Sequence, residues 1–341
     1  MTTGPGPDVI RGAVEIACRA PSLHNSQPWL WTYARGALEL YADRARSLAV
    51  TDPLGRQMLI SCGAVLHHCV VAASGFGSDV TVERFPDPQD PMHLATLNFA
   101  PSRQTPDAVP DSRMASLRGA IADRRTDRRP FDAPESAGLA GLDAGLGLFA
   151  SSLTLLGDDG AARLAEASRH SASVRRYDAA YRTELFWWTG HSLPDEGVPP
   201  SARPAGRAVP TGREFPSGTL KSDAPGPDRA ALAVISTEAD TRLDWLRSGE
   251  ALSQVLLDAT ARGLRTCPLT HLTEVAASRA MVRDAAAARG ERFRFPQTVV
   301  RIGTGRNGVA AELSATGRRS IDEVCRIDQA APESDSSPLA E

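Results

Sequence analysis

Apolar residues recur at helical spacing over residues 7 to 19, through Val9, Ile10, Ala13, Val14, Ile16 and Ala17. Pro21 closes that segment, because its ring fixes φ and drives Ala20 away from the α region. From Trp29 the period falls to two: Trp29, Trp31 and Tyr33 alternate, Arg35-Gly36 offers a turn, and Leu38, Leu40 and Ala42 alternate again, so 29 to 42 predicts a β-hairpin. A helix from about 54 to 75 and a strand at VTVERF follow, then a connection near 100 to 112. The pattern next predicts a helix running into IADRR, another near 135 to 148, a strand at SLTLL and a long helix from about 158 to 188. Strand ALAVIST, helices at 241 to 263 and 273 to 289, and strand QTVVRIG complete an α+β chain.

Residues 191 to 228 break the pattern, with eight prolines and almost no periodicity. A stretch that long within a compact chain predicts a lid or a disordered segment. The polar, Ser- and Pro-containing tail from about 328 to 341 predicts disorder. One internal match organises the rest. Gly63, Leu66, Val70, Val71, Ala73 and Gly77 reappear at the same offsets as Gly249, Leu252, Leu256, Leu257, Ala259 and Gly263, 186 residues later. This implies two copies of one unit, residues 1–105 and 106–327, facing each other as an intramolecular pseudo-dimer with a site at their interface.

The 341 residues are enough for a sizeable core, and a net charge of −3 gives no reason to expect nucleic acid or an anionic membrane as partner. Lys221 is the one lysine among 38 basic residues, so each arginine has to be weighed by its position. No apolar run reaches the roughly 20 residues of a membrane span, and the start MTTGPGPDVIRG lacks signal-peptide order, so a cytoplasmic location is expected. Five cysteines without CxxC spacing predict reduced thiols in the core.

The loop RAPSLHNSQPWLW, between the first helix and the first strand, gathers Ser22, His24, Asn25, Ser26 and Gln27 beside two tryptophans. In ADRRTDRRPF, Arg124, Arg125, Arg128 and Arg129 surround Thr126, offering planar bidentate donors and a hydroxyl to an oxygen-rich group such as a phosphate. Arg318-Arg319 adds a second basic pair after the last strand. GTGRNG at 303 to 308 matches G-x-G-x-x-G, but no convincing helix and second strand follow, so a strand-end turn is the better reading. Cys62, Leu66 and Cys69 share an apolar stripe while His67 and His68 diverge on a helix, which closes no metal-ligand set. No Gly-x-Ser-x-Gly elbow is present to support covalent hydrolysis.

APSLHNSQPW is similar to the Pro-Ser-x-x-Asn-x-Gln-Pro-Trp signature of FMN-dependent nitroreductases. RRTDR resembles that family's Arg-x-Ser-x-Arg/Lys segment, ALSQVLLDATARGLRTCPLTH its central helix and following loop, and PQTVVRIGTG with RRSIDEV its last strand and basic C-terminal segment. The order of these segments, with ELFWWTG before a Pro-rich insert, looks like the Acg-type members, in which a fused pseudo-dimer replaces the homodimer.

The resemblance implies a duplicated nitroreductase-like fold with one FMN per chain. Pro21, Ser22, Asn25, Gln27, Pro28 and Trp29 of the first copy would meet the flavin ring, which is seated mainly in the second. Arg124, Arg125 and Thr126 would hold phosphate and ribityl oxygens, Arg128 the N1–C2 edge, and Arg318 and Arg319 would complete the phosphate site. Residues Cys267 to His271 would form the loop near N5, with Thr270-His271 where many relatives have Glu-Gly. The implied activity is hydride transfer from NAD(P)H through the flavin to a nitro- or quinone-like acceptor, with no dedicated catalytic residue. A flavin-storing protein, closed by the insert, is the rival expectation. The fused chain is expected as a monomer or as a homodimer.

Overall fold

In the computed structural model, which describes residues 4–101, 112–190, 193–206, 209–221, 226–306 and 313–328, the first part of the chain forms α1 (Pro7–Ala17), β1 (Trp29–Ala34), β2 (Ala37–Ala42), α2 (Arg56–Ser74), β3 (Ser78–Arg84) and β4 (His93–Pro101). There follow α3 (Ser112–Asp123), α4 (Ser136–Leu139), β5 (Ser151–Leu156), α5 (Asp158–Arg175), α6 (Ala179–Gly190) and β6 (Ala231–Thr237). The remainder is α7 (Arg242–Ala261), β7 (Arg265–Leu269), α8 (Ala276–Ala287), β8 (Phe295–Gly303), α9 (Ile321–Val324) and β9 (Cys325–Ile327).

The strands make two sheets, ordered β3-β4-β2-β1-β9 and β5-β6-β8-β7. Read from its other edge, the second runs β7-β8-β6-β5, so β1 to β4 and β5 to β8 occupy matching places with antiparallel neighbours throughout. In the first sheet a two-residue turn joins β1 to β2, with Arg35 and Gly36 both at positive φ (54° and 80°), as a type I′ hairpin requires. In the second, α5, α6 and the Pro-rich segment occupy the equivalent connection.

Helix α2 packs on the first sheet and α7 on the second, and the two helices pack on each other. They cross at the repeated glycines. A Cβ on Gly63 would lie 1.9 Å from the Leu246 carbonyl oxygen, and one on Gly249 would lie 2.0 Å from that of Ile60. Ile60 and Leu246 are themselves 186 residues apart, so the contact is reciprocal, as across a two-fold axis. The last glycines of the pattern, Gly77 and Gly263, both take the left-handed conformation (φ 71° and 75°) where each helix hands over to β3 or β7. The periodicity thus marks a crossing point, a core stripe and a helix stop.

Some expectations change. Residues 135 to 148 do not form a helix: α4 has a single turn, and Gly141 and Gly145 sit at positive φ before a 3-10 turn at Leu146–Phe149. The long helix to 188 is broken at Asp178, whose carboxylate caps α6 by accepting from the Tyr181 N–H at 2.9 Å. Three strands were not legible: β4, the edge strand β7 with Pro268 inside it, and β9, which runs parallel to β1. Residues 325–327, counted with the second half, are therefore bonded into the first half's sheet. Asn307, Gly308 and the tail from 329 lie outside the described residues.

Helix α2, contrary to the sequence expectation, is long and apolar enough to cross a membrane by composition, yet 89% of its apolar window is buried in this protein's interior. It carries His67 and His68, which do not diverge as expected: both Nδ1 atoms approach the Ser253 hydroxyl at 2.7 Å. The Ala64 carbonyl, 3.0 Å from His68 Nδ1, can only accept, so that nitrogen bears the proton and the hydroxyl can donate to His67. Among the described residues no cluster suits a metal, and the five cysteines are free and buried.

Burial pushes the His67 imidazole down to about 4 and that of His68 well below its ordinary value. Unfolded, both would protonate near pH 6.5. Stability present above that pH is therefore expected to fall as acid is added from pH 6.5 towards 4, by about 1.4 kcal/mol per pH unit for each histidine. Denaturant titrations across that window check this, and a flat profile would contradict it.

Candidate functional site

The loop from α1 to β1 is held in an uncommon shape. His24, Asn25 and Gln27 all have positive φ (50°, 57° and 50°), which non-glycine residues adopt only where their surroundings enforce it. The enforcement is visible. Ser22 Oγ accepts from the Gln27 N–H at 2.9 Å, the Leu23 N–H donates to Ser61 Oγ on α2 at 3.1 Å, and Asn25 Nδ2 donates to the Gly317 carbonyl at 3.2 Å.

Gln27 is fully buried and spent on protein. Its Nε2 donates to the Asp195 carbonyl at 2.7 Å and its Oε1 accepts from the Arg319 N–H at 2.9 Å. Pro28 precedes β1 and Trp29 begins it; both are buried, with Trp29 in the first half's core. None of these three lines either part of the site cavity, and Arg319 pairs instead with Asp43 at 3.5 Å.

Arg318 Nε donates to the Cys18 carbonyl at 2.8 Å and its Nη2 to that of Arg19 at 3.1 Å. It thereby supplies a cation to the carbonyl-rich end of α1. The RRTDR segment is sorted by its own aspartate. The Asp127 N–H donates to the Thr266 carbonyl at 2.9 Å, setting the segment along β7. Its carboxylate, held below the usual range despite burial, takes Arg129 and Arg265 at 2.8 Å each. Arg124, Arg125 and Arg128 are left turned towards a cavity.

That cavity has two adjoining parts, both lined by Pro21, Ser22, Thr126 and Arg128. The basic part is lined by Arg19, Arg124, Arg125 and Arg318, with Asn25 and the Ala202 and Thr316 segments, and no carboxylate lines it among the described residues. Arg124 is 5% exposed; Nη2 reaches the Arg19 carbonyl at 3.2 Å, while Nε and Nη1 are buried without a partner. Burial, then the charges of Arg318, Arg125 and Arg19, push its guanidinium down to about 9, and burial takes Arg318 to about 10. A cation so placed lacks an anion.

The second part holds about 960 Å³ of atom-free space, open solvent included. Leu23, Ile60, Leu252, Leu269 and Phe215 supply apolar walls, and Gln57, His24, Thr270 and His271 polar ones. Residues 265–269, read as loop, are strand, and Thr270–Leu272 is a 3-10 turn that brings Thr270 and His271 to the pocket.

The Pro-rich segment closes over this part through Pro204, Val209, Arg213 and Phe215. Arg213 is the clasp. It pairs with Glu274, donates to the Tyr181 hydroxyl at 2.6 Å and to Thr270 Oγ1 at 3.1 Å, and the Arg128 guanidinium lies 5.1 Å above the Phe215 ring. Gln57, Ser61, Arg213 and Phe215 escaped the sequence reading, since only tertiary packing brings them to the loop. His24 could have been found: it sits inside the signature, buried, edge-on to Phe215 at 5.8 Å, with Nε2 unpartnered and its imidazole kept neutral by burial and by Arg213 and Arg128.

The site is thus a basic recess beside a largely apolar slot, at the meeting of two matching halves. Comparison with known proteins sharpens this. A Mycobacterium tuberculosis protein provisionally named NAD(P)H nitroreductase Acg is 43% identical over 331 residues, covering 94% of this chain and 96% of its own. A second, provisionally named NAD(P)H nitroreductase Rv3131, is 38% identical over 334 residues, covering 94% and 92%. The chain therefore belongs to the nitroreductase family, in the branch that Acg represents.

No protein-family profile matches. Among solved structures, the FMN-dependent nitroreductase NfnB of Mycobacterium smegmatis in complex with NADPH overlaps 63% of this chain and 99% of its own at 14% identity and a TM-score of 0.39. A protein from Anabaena variabilis provisionally named a nitroreductase overlaps 87% of this chain and 73% of its own at 10% identity and a TM-score of 0.42. The assignment rests on the sequence relatives.

Proposed function

We propose that the chain is an FMN-dependent oxidoreductase that passes hydride from NAD(P)H to a nitro- or quinone-like acceptor. Bound FMN supplies the redox chemistry, accepting and then donating a hydride equivalent. The single observation that carries the reading is the buried Arg124 with two unpartnered donors in a recess lined by no described carboxylate, opening onto an apolar slot.

In this reading Arg124, Arg125 and Arg318, with Thr126, hold the phosphate, and Pro21, Ser22 and Asn25 cover the passage to the ring. Arg128, which lines both parts of the site, would favour the negatively charged reduced form of the ring. Leu23, Ile60, Leu252 and Phe215 would offer apolar surface to the ring and exclude water, while Thr270 and His271 would supply polar groups at the slot wall. Gln27, Trp29 and Arg319 act at one remove, by holding the loop in shape.

A second reading, storage of flavin with little turnover, is favoured by the buried Arg213–Glu274 clasp that holds the Pro-rich segment over the slot. One experiment separates them. Under anaerobic conditions NADH or NADPH is expected to bleach the yellow protein, and Arg213→Met is expected to bleach at least several-fold faster. Colour that persists in both proteins until dithionite is added would favour the store.

A further inference from the structure

Behind the clasp lies a second cavity that this oxidoreductase reading does not use. It opens between α5, α6 and the Pro-rich segment and holds about 1390 Å³ of atom-free space, part of it open to solvent. Arg213 and His271 form the wall it shares with the flavin slot, and both are fixed there: His271 Nε2 lies 3.1 Å from Ser168 Oγ, and Arg213 is held by Tyr181 and Glu274.

Its inner surface has two characters. Tyr181, Leu185 and Phe186 give it apolar and aromatic flanks, and Phe186 is 66% exposed at the mouth. Arg175, Arg176 and Arg182 also line it, against Glu214 as the one lining carboxylate among the described residues. Arg175 is the focus. Its guanidinium lies 4.6 Å above the Tyr181 ring, and its Nη1 reaches the Val50 carbonyl and the Asp178 carboxylate only at 3.5 and 3.4 Å. Its Nε is buried with no hydrogen-bond partner. A cation already stacked on an aromatic face, with donor capacity in hand beside apolar walls, suits a flat ring that carries a negative group.

We propose that this cavity binds an aromatic anion, of the arylcarboxylate or aryl phosphate class, with the anionic group on Arg175 and the ring between Tyr181 and Phe186. Such a ligand leans on the Arg213 wall without entering the flavin slot. Its binding is independent of whether FMN is the resident cofactor.

The test titrates 2-naphthoate, which offers no group for the proposed reductase to reduce, into the full chain by calorimetry, with and without saturating FMN. Binding is expected to survive FMN, to weaken at least tenfold in Arg175→Met and for neutral 2-naphthamide, and to return in part in Arg175→Lys. A melting profile confirms that the variants are folded. Displacement of naphthoate by FMN, equal binding of the amide, or full affinity in folded Arg175→Met would each overturn the proposal.

Discussion

Arg124→Met is expected to purify colourless, with FMN affinity reduced by about 10²–10⁴-fold. The magnitude follows from two buried donors, Nε and Nη1, each contributing roughly 1.5–3 kcal/mol when met by a phosphate oxygen. The same change should leave the flavin-free protein as stable as the parent, or more so. Arg124 is buried near Arg318, Arg125 and Arg19, and its depressed guanidinium means that the empty fold bears the charge at a cost of order a few kcal/mol. A fluorescence titration with FMN and a melt of the flavin-free protein read the two effects separately. Wild-type affinity would move the phosphate elsewhere; lost affinity with a collapsed melt would make Arg124 structural.

The second large effect belongs to the helix crossing. Gly63→Ala and Gly249→Ala are each expected to destabilise the protein by about 3 kcal/mol or more. In both cases the new Cβ meets a backbone carbonyl that no rotamer change can remove. Gly119 in α3, where an added methyl group would meet nothing within 4 Å, is the control: Gly119→Ala should be neutral or stabilise by about 0.5–1 kcal/mol. Chemical denaturation measures all three, and reciprocity requires the first two to agree. Parent-like stability in Gly63→Ala would mean that α2 and α7 do not approach so closely.

How much of this was legible depends on the range of the interactions. The 186-residue repeat was readable because helix packing imposes a local spacing, and each repeated position proved to have a physical task. The loop signature and RRTDR marked the cleft for the same reason: unusual residue types were concentrated in short spans. Division of labour within them was not readable. Arg129 and Arg124 look alike in sequence, but Asp127 neutralises one, and no carboxylate reaches the other's recess among the described residues. Gln27 resembled a ligand amide until the segments at 195 and 319 took up its hydrogen bonds. Strand β9, three residues long, has no periodicity to betray it and exists only by pairing with β1.

That pairing governs the order of events during synthesis. The Arg319 N–H reaches Gln27 across 292 positions, Arg318 reaches Cys18 across 300, and Asp328 N donates to Tyr33. A nascent chain cannot finish its front sheet, or lock the segment that shapes the cleft, until nearly 330 residues have left the ribosome. A polypeptide cut short ahead of residue 317 would therefore emerge with an unlatched mouth.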